Sequence, residues 1–441
     1  MKRLIITVFL ASTVSSYTFS QAAKAENVEK ELRADANRAA GMLYVRSTAK
    51  KPKDTPAPNG KKPFYINHYG SPGAYYLEKP NYYMQPYTDL AKADSLGKLT
   101  KLGKDVKQRI ETLMAEAHNR YGELSEKGDQ QSRSLMKQMV ERFPDMFTSK
   151  GYFSARSIVS NRCILSMYDA LLQLSAMRQP IVLRSKASHQ EDIFMNPSDD
   201  LLTSQRMDSV TYAHYHRFSI LNGNATRLMA SLFNDQNYVI SNIDATALSR
   251  RLFRLACSIQ STSLTDITLF DIFTPEEIHQ HWRRLNAFDY INYGGCTLNG
   301  SYQPYLQRVT LRNMIHTGDS VLRRNNPLVH LKYTNENVVM SLACLMELDG
   351  YGLQTSNLDS LEAYGWANYR IAPLGGSIEM IHYRANHDDS DVLVKVLLNG
   401  HEAKLPIETD CAPYYHWNDV KQYYLRKLYR YENRRFSLKK K

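Results

Sequence analysis

The sequence lacks several patterns by which catalytic and metal-binding proteins are recognised. None of its five cysteines lies in a CxxC pair, so zinc-ribbon and thioredoxin-like sites are unsupported. HExxH, GxSxG and P-loop motifs are also missing, which removes the signatures of metalloproteases, α/β-hydrolases and nucleotide-binding loops. The close histidine pairs, His214/His216 and His279/His281, fall in predicted helical regions, where side chains two apart face different ways. We therefore predict no metal site and no cofactor.

The pairing of the five cysteines is left open by the sequence. An oxidising compartment permits disulfides, and an odd count is equally compatible with buried free thiols. Connectivity cannot be deduced from spacing alone.

Long hydrophobic runs are also missing. The apolar run at residues 4–11 follows Lys2 and Arg3 and precedes small residues near 20–25, which predicts a signal peptide over residues 1–25. This run is too short to span a bilayer, and no cysteine precedes Cys163, which excludes a lipoprotein box. We expect an exported protein, in a periplasm or outside the cell, with no transmembrane anchor.

What the sequence has is an ordinary globular composition with excess positive charge. The 441 residues are 43% hydrophobic and 23% charged, and the formal net charge is +12. Such a charge favours nucleic acid, anionic surfaces or phosphorylated small molecules. No nucleic-acid motif accompanies it, so we predict no nucleic-acid partner, and a solvated surface is the simplest interpretation.

The order of the predicted elements indicates an α/β core interrupted by a helical region. Residues 185–300 are mostly helical and polar, whereas strand patterns occur before and after them. Asn399-Gly400 between two extended runs predicts a two-residue hairpin. The predicted strands are 63–68, 152–157, 328–333, 377–383 and 392–398, and the clearest helices are 161–177 and 417–431.

One turn carries the most informative pattern. Residues 69–75 follow an apolar strand, and this context resembles the Arg-His-Gly-x-Arg signature of the histidine acid phosphatase family. The form written by bacterial multiple inositol polyphosphate phosphatases, His-Tyr-Gly-Arg-His-Gly-Ser-Arg-Tyr, matches residues 68–76 in length, and Gly70 and Gly73 are kept. The positions of the two arginines and of the nucleophilic histidine are occupied here by Ser71, Tyr75 and Pro72.

Further matches follow in the family's order. Residues 155–166 are similar to Arg-Ser-Thr-x-x-x-Arg-x-x-x-Ser, and the resemblance implies that Arg162 reaches a bound phosphate. An arginine suits that role because its planar fork binds phosphate oxygens bidentately. A surface ion pair at a helix start is the alternative interpretation. Residues 405–417 resemble the C-terminal part of Bacteroidetes-type members of the family.

The segment at residues 331–337 matches the family's second catalytic region. In one alignment Asn335 replaces the second catalytic histidine and Glu336 replaces the general acid; in the other Thr334 replaces the histidine and Glu336 matches the acid directly. In both, the histidine is missing and one carboxylate remains. An acidic residue at a helix N-terminus, favoured by the dipole, would also explain Glu336.

The resemblance implies a three-layer α/β/α core with an inserted, mostly helical cap. The predicted division is a signal peptide at 1–25, an N-terminal helix and linker at 26–62, core segments at 63–164 and 301–441, and a cap at 165–300. The implied ligand is a phosphorylated small molecule such as an inositol phosphate.

The substitutions remove the family's chemistry, because the nitrogen of a proline lies in the backbone amide and has no basic lone pair with which to attack phosphorus. We therefore predict a catalytically inactive homologue, a pseudophosphatase, that keeps a ligand-binding cleft. Two alternatives remain open at this point. One is an active phosphomonoester hydrolase with a rebuilt site or with Ser71 as nucleophile, and the other is an envelope interaction protein whose cleft is irrelevant.

Overall fold

A computed structural model describes residues 27–49, 51–58, 60–177 and 182–439 of the chain. The predicted signal peptide lies outside these residues. Residues 27–34 are helical, and a short 3₁₀ segment, Ala36–Leu43, follows them. None of the helices in the described part is both long enough and apolar enough to cross a bilayer.

A central mixed sheet organises the fold. Its order is β10-β8-β7-β1-β5-β2-β3, with β9 paired to β8, and β4 pairs with β6 in a separate two-stranded sheet. The strands are β1 (Lys62–Gly70), β2 (Tyr152–Ser157), β3 (Val182–Ala187), β4 (Gly295–Cys296), β5 (Leu328–Tyr333), β6 (Gln354–Thr355), β7 (Ser377–Arg384), β8 (Leu393–Leu398), β9 (His401–Glu402) and β10 (Tyr415–His416).

The direction of the strands decides where a site can form. β1, β5, β2 and β3 are parallel neighbours, whereas β7 runs antiparallel to β1 and β8 antiparallel to β7. Gly70 and Ser157 are both in register with Tyr333, so β1, β2 and β5 end at one edge. Ligands of parallel sheets bind outside such carboxyl ends.

Helices cover both faces of the sheet. α3 and α4 pack together on one face, and α12 and α15 pack on the other. The helices are α1 (Asn81–Ser95), α2 (Lys101–Ala117), α3 (Glu126–Arg142), α4 (Asn161–Met177), α5 (Asp192–Met195), α6 (Asp200–Gln205), α7 (Ser209–Leu221), α8 (Thr226–Leu232), α9 (Gln236–Asn242), α10 (Ala245–Ile259), α11 (Pro275–Tyr293), α12 (Arg308–Val321), α13 (Glu336–Leu345), α14 (Asn368–Ile371) and α15 (Trp417–Lys439). The predicted α/β class, a sheet between helical layers, is confirmed.

A second hydrophobic core lies among the helices that follow β1. Most of its buried residues come from α1 and α2 and from α8 through α11, with others at residues 28–40 and at Ala367 and Tyr369, and the cluster is separate from the one around the sheet. The domain boundaries stay a prediction, but packing does not follow them everywhere. α1 and α2 join the helical core although they precede residue 165, and β3 extends the sheet although it follows that residue.

The other sequence predictions have clear outcomes. Asn399 and Gly400 adopt positive φ angles of 53° and 77° between β8 and β9, which confirms the hairpin. The segment predicted as a linker is fixed to the core, because Asp54 pairs with Arg142 at 2.8 Å and the Thr55 amide donates to Glu402. All five cysteines are free thiols.

Candidate functional site

The motif loop, residues 71–77, begins where β1 ends, and hydrogen bonds hold its backbone on both sides. The Ser71 amide donates to the Gly376 carbonyl at 2.7 Å, and the Gly375 amide donates to the Pro72 carbonyl at 2.7 Å. On the other side the Gly73 amide donates to Ser166 Oγ of α4 at 3.0 Å. Residues 71–77 are all buried. The loop is therefore a fixed, well-packed part of the fold.

The hydroxyl of Ser71 forms hydrogen bonds to backbone carbonyl groups. Its Oγ donates to the carbonyl oxygens of Pro373 and Gly376 at 3.1 and 3.2 Å, and the residue is 4% exposed. A serine nucleophile needs a base that takes its proton. Neither partner is such a base, and this arrangement speaks against Ser71 as a substitute nucleophile.

Four of the predicted site residues meet in one cluster. The guanidinium of Arg162, at the start of α4, lies 4.5 Å from the centre of the Tyr75 ring and donates through Nη2 to Asn335 Oδ1 at 3.1 Å. Glu336 lies beside it at the first turn of α13, and the neighbouring Arg162 and Tyr75 influence its carboxyl group. They converge because α4 and α13 begin just beyond the aligned ends of β2 and β5.

A fifth member of this cluster was not predicted. Arg162 Nη1 forms a salt bridge to Glu78 Oε1 at 2.9 Å, and the Glu78 side chain is 46% exposed. Glu78 lies just beyond the motif match, and the sequence gives no signal that its carboxylate folds back onto Arg162. We name these five residues, Tyr75, Glu78, Arg162, Asn335 and Glu336, the Arg162 cluster.

The positive charge of Arg162 is compensated by the acidic residues of the Arg162 cluster. Burial lowers the pKa of Arg162, but the charge of Glu336 and the neighbouring Tyr75 and Glu78 raise it above its ordinary value, so the guanidinium stays charged. Burial raises the pKa of Glu336, while Arg162 opposes that shift. One cation facing two carboxyl groups gives a phosphate much less attraction than an unpaired arginine would.

Two polar atoms in the cluster have no hydrogen-bond partner among the described residues. They are Nε of Arg162, a donor, and Oε1 of Glu336, an acceptor, and both are buried. Buried polar atoms are normally paired with protein or water. A small molecule that both accepts and donates, such as water or a ligand hydroxyl, would satisfy them.

The remaining predicted positions are Thr334 and Pro72. Both form hydrogen bonds with backbone groups of neighbouring segments. The Thr334 hydroxyl donates to the Met195 carbonyl at 2.5 Å, and its amide donates to the Gly70 carbonyl at 2.9 Å. Thr334 thus joins α5 to the end of β1. The Thr334 hydroxyl is already bonded to a backbone carbonyl, and the Pro72 side chain has no polar group.

One histidine, His68, lies close to the motif in the chain and lines a cavity together with Gly70 and Ser71 of the motif, outside the Arg162 cluster. His68 Nδ1 is 3.2 Å from Glu379 Oε1, its partner across the β1–β7 pair, and lines a cavity of about 40 Å³. Arg46 and Arg142 also line this cavity. That volume accommodates one to a few waters and is far below the several hundred Å³ typical of a ligand pocket. The cavity is therefore too small to bring a phosphorylated ligand to His68.

The two histidine pairs noted in the sequence behave as ordinary side chains. His214 and His216 are exposed on α7. His279 Nε2 bonds to Glu362 at 2.8 Å, whereas His281 is buried against Ser249, and burial lowers its pKa to about 3. Neither pair belongs to a group of three potential metal ligands in the described residues.

Comparison with known proteins gives structural matches only. No family model matches the chain, and no curated protein matches its sequence. A Bifidobacterium longum multiple inositol polyphosphate phosphatase in complex with inositol hexasulfate matches with a TM-score of 0.72 and 12% identity, over 87% of this chain and 97% of that one. A phytase from D. castellii matches with a TM-score of 0.62 and 12% identity, over 89% and 85%.

A Hafnia alvei phytase in complex with myo-inositol hexakis sulphate is more distant, with a TM-score of 0.51 and 10% identity over 84% of this chain and 98% of that one. The structural similarity establishes the fold. Because the identities are this low, the chemistry has to be inferred from the residues of this chain. The covered fractions show that the similarity extends over the sheet and its helical insertions together. The protein has the fold of the histidine acid phosphatases.

Proposed function

We propose that the protein is a pseudophosphatase: an exported protein with the histidine acid phosphatase fold that does not hydrolyse phosphomonoesters. The observation that carries this proposal is Pro72, whose nitrogen is part of the backbone amide and whose carbonyl is bonded to Gly375. The family's reaction needs a nucleophile with a basic lone pair. It also needs fixed positive charge around the transferred phosphoryl group.

The requirement for fixed positive charge is met no better than the requirement for a nucleophile. Of the arginines and histidines that the family uses, only one has a counterpart in the cluster. This counterpart is Arg162, and Glu78 and Glu336 face it. Losing one member of a hydrolase triad costs about 10⁴- to 10⁶-fold in turnover, or roughly 5–8 kcal/mol. Losing the nucleophile together with most of the positive charge leaves no measurable route by this mechanism.

A phosphate-release assay tests this proposal. With inositol hexakisphosphate or nitrophenyl phosphate as substrate, we expect no release above a buffer blank. Release that Ser71→Ala or Glu336→Gln abolishes would establish a rebuilt active site and overturn the proposal. Release that survives both variants and Arg162→Met would be traced to a contaminating phosphatase.

We further propose that the Arg162 cluster keeps a weak binding site for a phosphorylated small molecule such as an inositol phosphate. Support comes from the unpartnered Nε of Arg162 and from Glu78, whose half-exposed carboxylate occupies one face of the guanidinium. A phosphate group can replace Glu78 without disturbing Asn335 or Glu336. Glu78 would then act as a competing anion supplied by the protein itself.

Calorimetry with inositol hexakisphosphate measures this competition. Glu78→Gln should strengthen binding by about tenfold, the effect of roughly 1.4 kcal/mol, because the competing charge is gone. Arg162→Met should abolish the specific part of the binding. Arg133→Met is a matched control, since Arg133 is also held by two carboxylates, Asp129 and Asp169.

Salt separates site binding from diffuse attraction. The net charge of +12 attracts any polyanion, and that attraction weakens as salt rises. Binding that fades with salt and is equal in wild type, Glu78→Gln and Arg162→Met would remove the ligand-binding proposal. That result would leave the absence of hydrolysis intact and favour an envelope interaction protein.

A further inference from the structure

Three different potential metal ligands converge far from the Arg162 cluster. A carboxylate oxygen of Asp410, the Sγ of Cys411 and a ring nitrogen of His416 lie within 4.8 Å of one another, and this is the one such group found in the described residues. His416 ends β10, at the opposite side of the sheet from β3. Three strand spacings, about 14 Å, separate β10 from β1.

The imidazole of His416 is oriented as in many metal sites. Nδ1 lies 2.6 Å from Asp391 Oδ1, and Nε2 lies 3.1 Å from Asp410 Oδ1. Asp391 is itself held by Lys61, whose Nζ is 3.3 Å from its second carboxylate oxygen. A ligating histidine usually donates its other ring N–H to a carboxylate, which fixes the tautomer and the ring. Asp391 provides this carboxylate and leaves Nε2 towards Asp410 and Cys411.

The separation of the His416 and Asp410 ligand atoms is compatible with a tetrahedral ion, and the Cys411 Sγ lies within 4.8 Å of both. Zinc binds nitrogen and oxygen at about 2.0 Å and sulfur at about 2.3 Å, so two tetrahedral N/O ligands lie about 3.3 Å apart. The observed separation of His416 Nε2 and Asp410 Oδ1, 3.1 Å, needs almost no adjustment. The Cys411 Sγ contacts Thr409 Oγ1 at 3.3 Å and the Tyr414 carbonyl oxygen at 3.4 Å.

We propose that Asp410, Cys411 and His416 bind a zinc ion, with water at the fourth position. The mixed sulfur, nitrogen and oxygen set selects zinc over magnesium or calcium, which take oxygen ligands. Solvent reaches the site, because the Asp410 side chain is 81% exposed. Binding replaces the thiol proton of Cys411, which is released to solvent. The ion would fasten the loop at 410–411 to β10. This proposal departs from the prediction of no metal and is independent of the proposed function.

Reactivity of the thiol gives a direct test. Cys411 is partly exposed and the other four cysteines are buried, so an aromatic disulfide reagent should modify one thiol of the native, chelator-treated protein rapidly. Zinc should slow that modification at least about tenfold, because the metal-bound sulfur is withdrawn from exchange, and magnesium should have no effect. A chelator should restore the fast rate. Calorimetry should give one zinc per chain.

Variants decide whether these three ligands are responsible. His416→Gln and Asp410→Asn should each lose most of the protection, and Cys411→Ser should lose the reactive thiol together with zinc binding. His189→Gln is the matched control, because His189 also pairs with a surface carboxylate, Asp192, at 3.0 Å without a thiol nearby. Equal labelling rates with and without zinc would overturn the proposal, as would protection that survives in both His416→Gln and Asp410→Asn.

Discussion

We expect that replacing Glu379 with glutamine lowers the free energy of unfolding by about 3 kcal/mol, because it removes a buried carboxylate that pairs with His68 and whose charge stabilises the neighbouring Arg46. Glu379 is 6% exposed, accepts from Ser377 Oγ at 2.7 Å and contacts His68. Burial lowers the pKa of Arg46 to about 10, so this neighbouring guanidinium remains charged at neutral pH. In the variant it faces the cavity without its carboxylate. Urea unfolding measures the loss as a lower midpoint at unchanged slope.

Two variants make the Glu379 experiment specific. Glu29→Gln breaks an exposed pair with Arg33 and should leave the urea midpoint unchanged. Arg46→Met combined with Glu379→Gln should cost less than the sum of the single losses, since both charges of a coupled pair are then removed. An unchanged midpoint in Glu379→Gln would mean that the carboxylate is not needed in the cavity.

The pH dependence of the same experiment has a defined sign. Burial raises the pKa of Glu379, but the hydrogen bond and charge of His68, with Ser377 and Arg46, lower it below its ordinary value. A lowered carboxyl pKa stabilises the folded state above the unfolded pKa of about 4.3. That contribution is lost as the pH falls through the folded pKa. The difference between wild type and Glu379→Gln should therefore shrink in acid.

The sequence predicted the strands and helices with strong periodicity. β2, β5 and α4 have the predicted ends, because each has a clear hydrophobic period and a distinct boundary. β3 was not predicted, and its second half was wrongly assigned to the helical region that begins at residue 185, since residues 184–187 of this edge strand are exposed. α1 was not predicted, since Pro86 and several tyrosines conceal the helical spacing of Tyr83, Leu90 and Ala93.

The sequence predicted those residues of the candidate site that directly follow the ends of strands. Arg162, Asn335 and Glu336 follow strands that turned out to be parallel neighbours, so residues far apart in the chain meet at one edge. Contacts that depend on strand register could not be predicted from the sequence. His68 and Glu379 are 311 positions apart and meet because β1 and β7 pair antiparallel in that register. The Glu78 salt bridge depends on the path of the chain after the motif.

Replacing Gly73 with alanine destabilises the fold by about 3 kcal/mol, at the upper end of what overpacking costs. A Cβ at Gly73 would lie 2.4 Å from the Gly128 carbonyl oxygen, and a Cβ at Gly128 would lie 2.1 Å from the Ala74 carbonyl oxygen. These contacts are between backbones, and a backbone cannot move aside as the end of a side chain can. The motif loop would have to leave the first turn of α3.

Moving the loop away from α3 also breaks its other bonds. The Ala74 carbonyl accepts from the Ser125 amide at 2.9 Å, and the Ala74 amide donates to Gln131 Oε1 at 3.1 Å. Hydrogen exchange should therefore show faster exchange of the Ala74 and Gly375 amides in Gly73→Ala, beyond the lower urea midpoint. Gly128→Ala should produce the same pattern from the other side of the contact.

Gly97→Ala is the control for this experiment, because a Cβ there meets nothing within 4 Å and its φ of +65° costs about 1 kcal/mol of left-handed strain alone. A loss in Gly73→Ala no larger than that control would show that the loop can shift freely. The predicted larger loss means that Gly73 is required by packing of the loop on α3. This requirement is independent of phosphoryl transfer, so the glycine is needed although its neighbour Pro72 has no catalytic group.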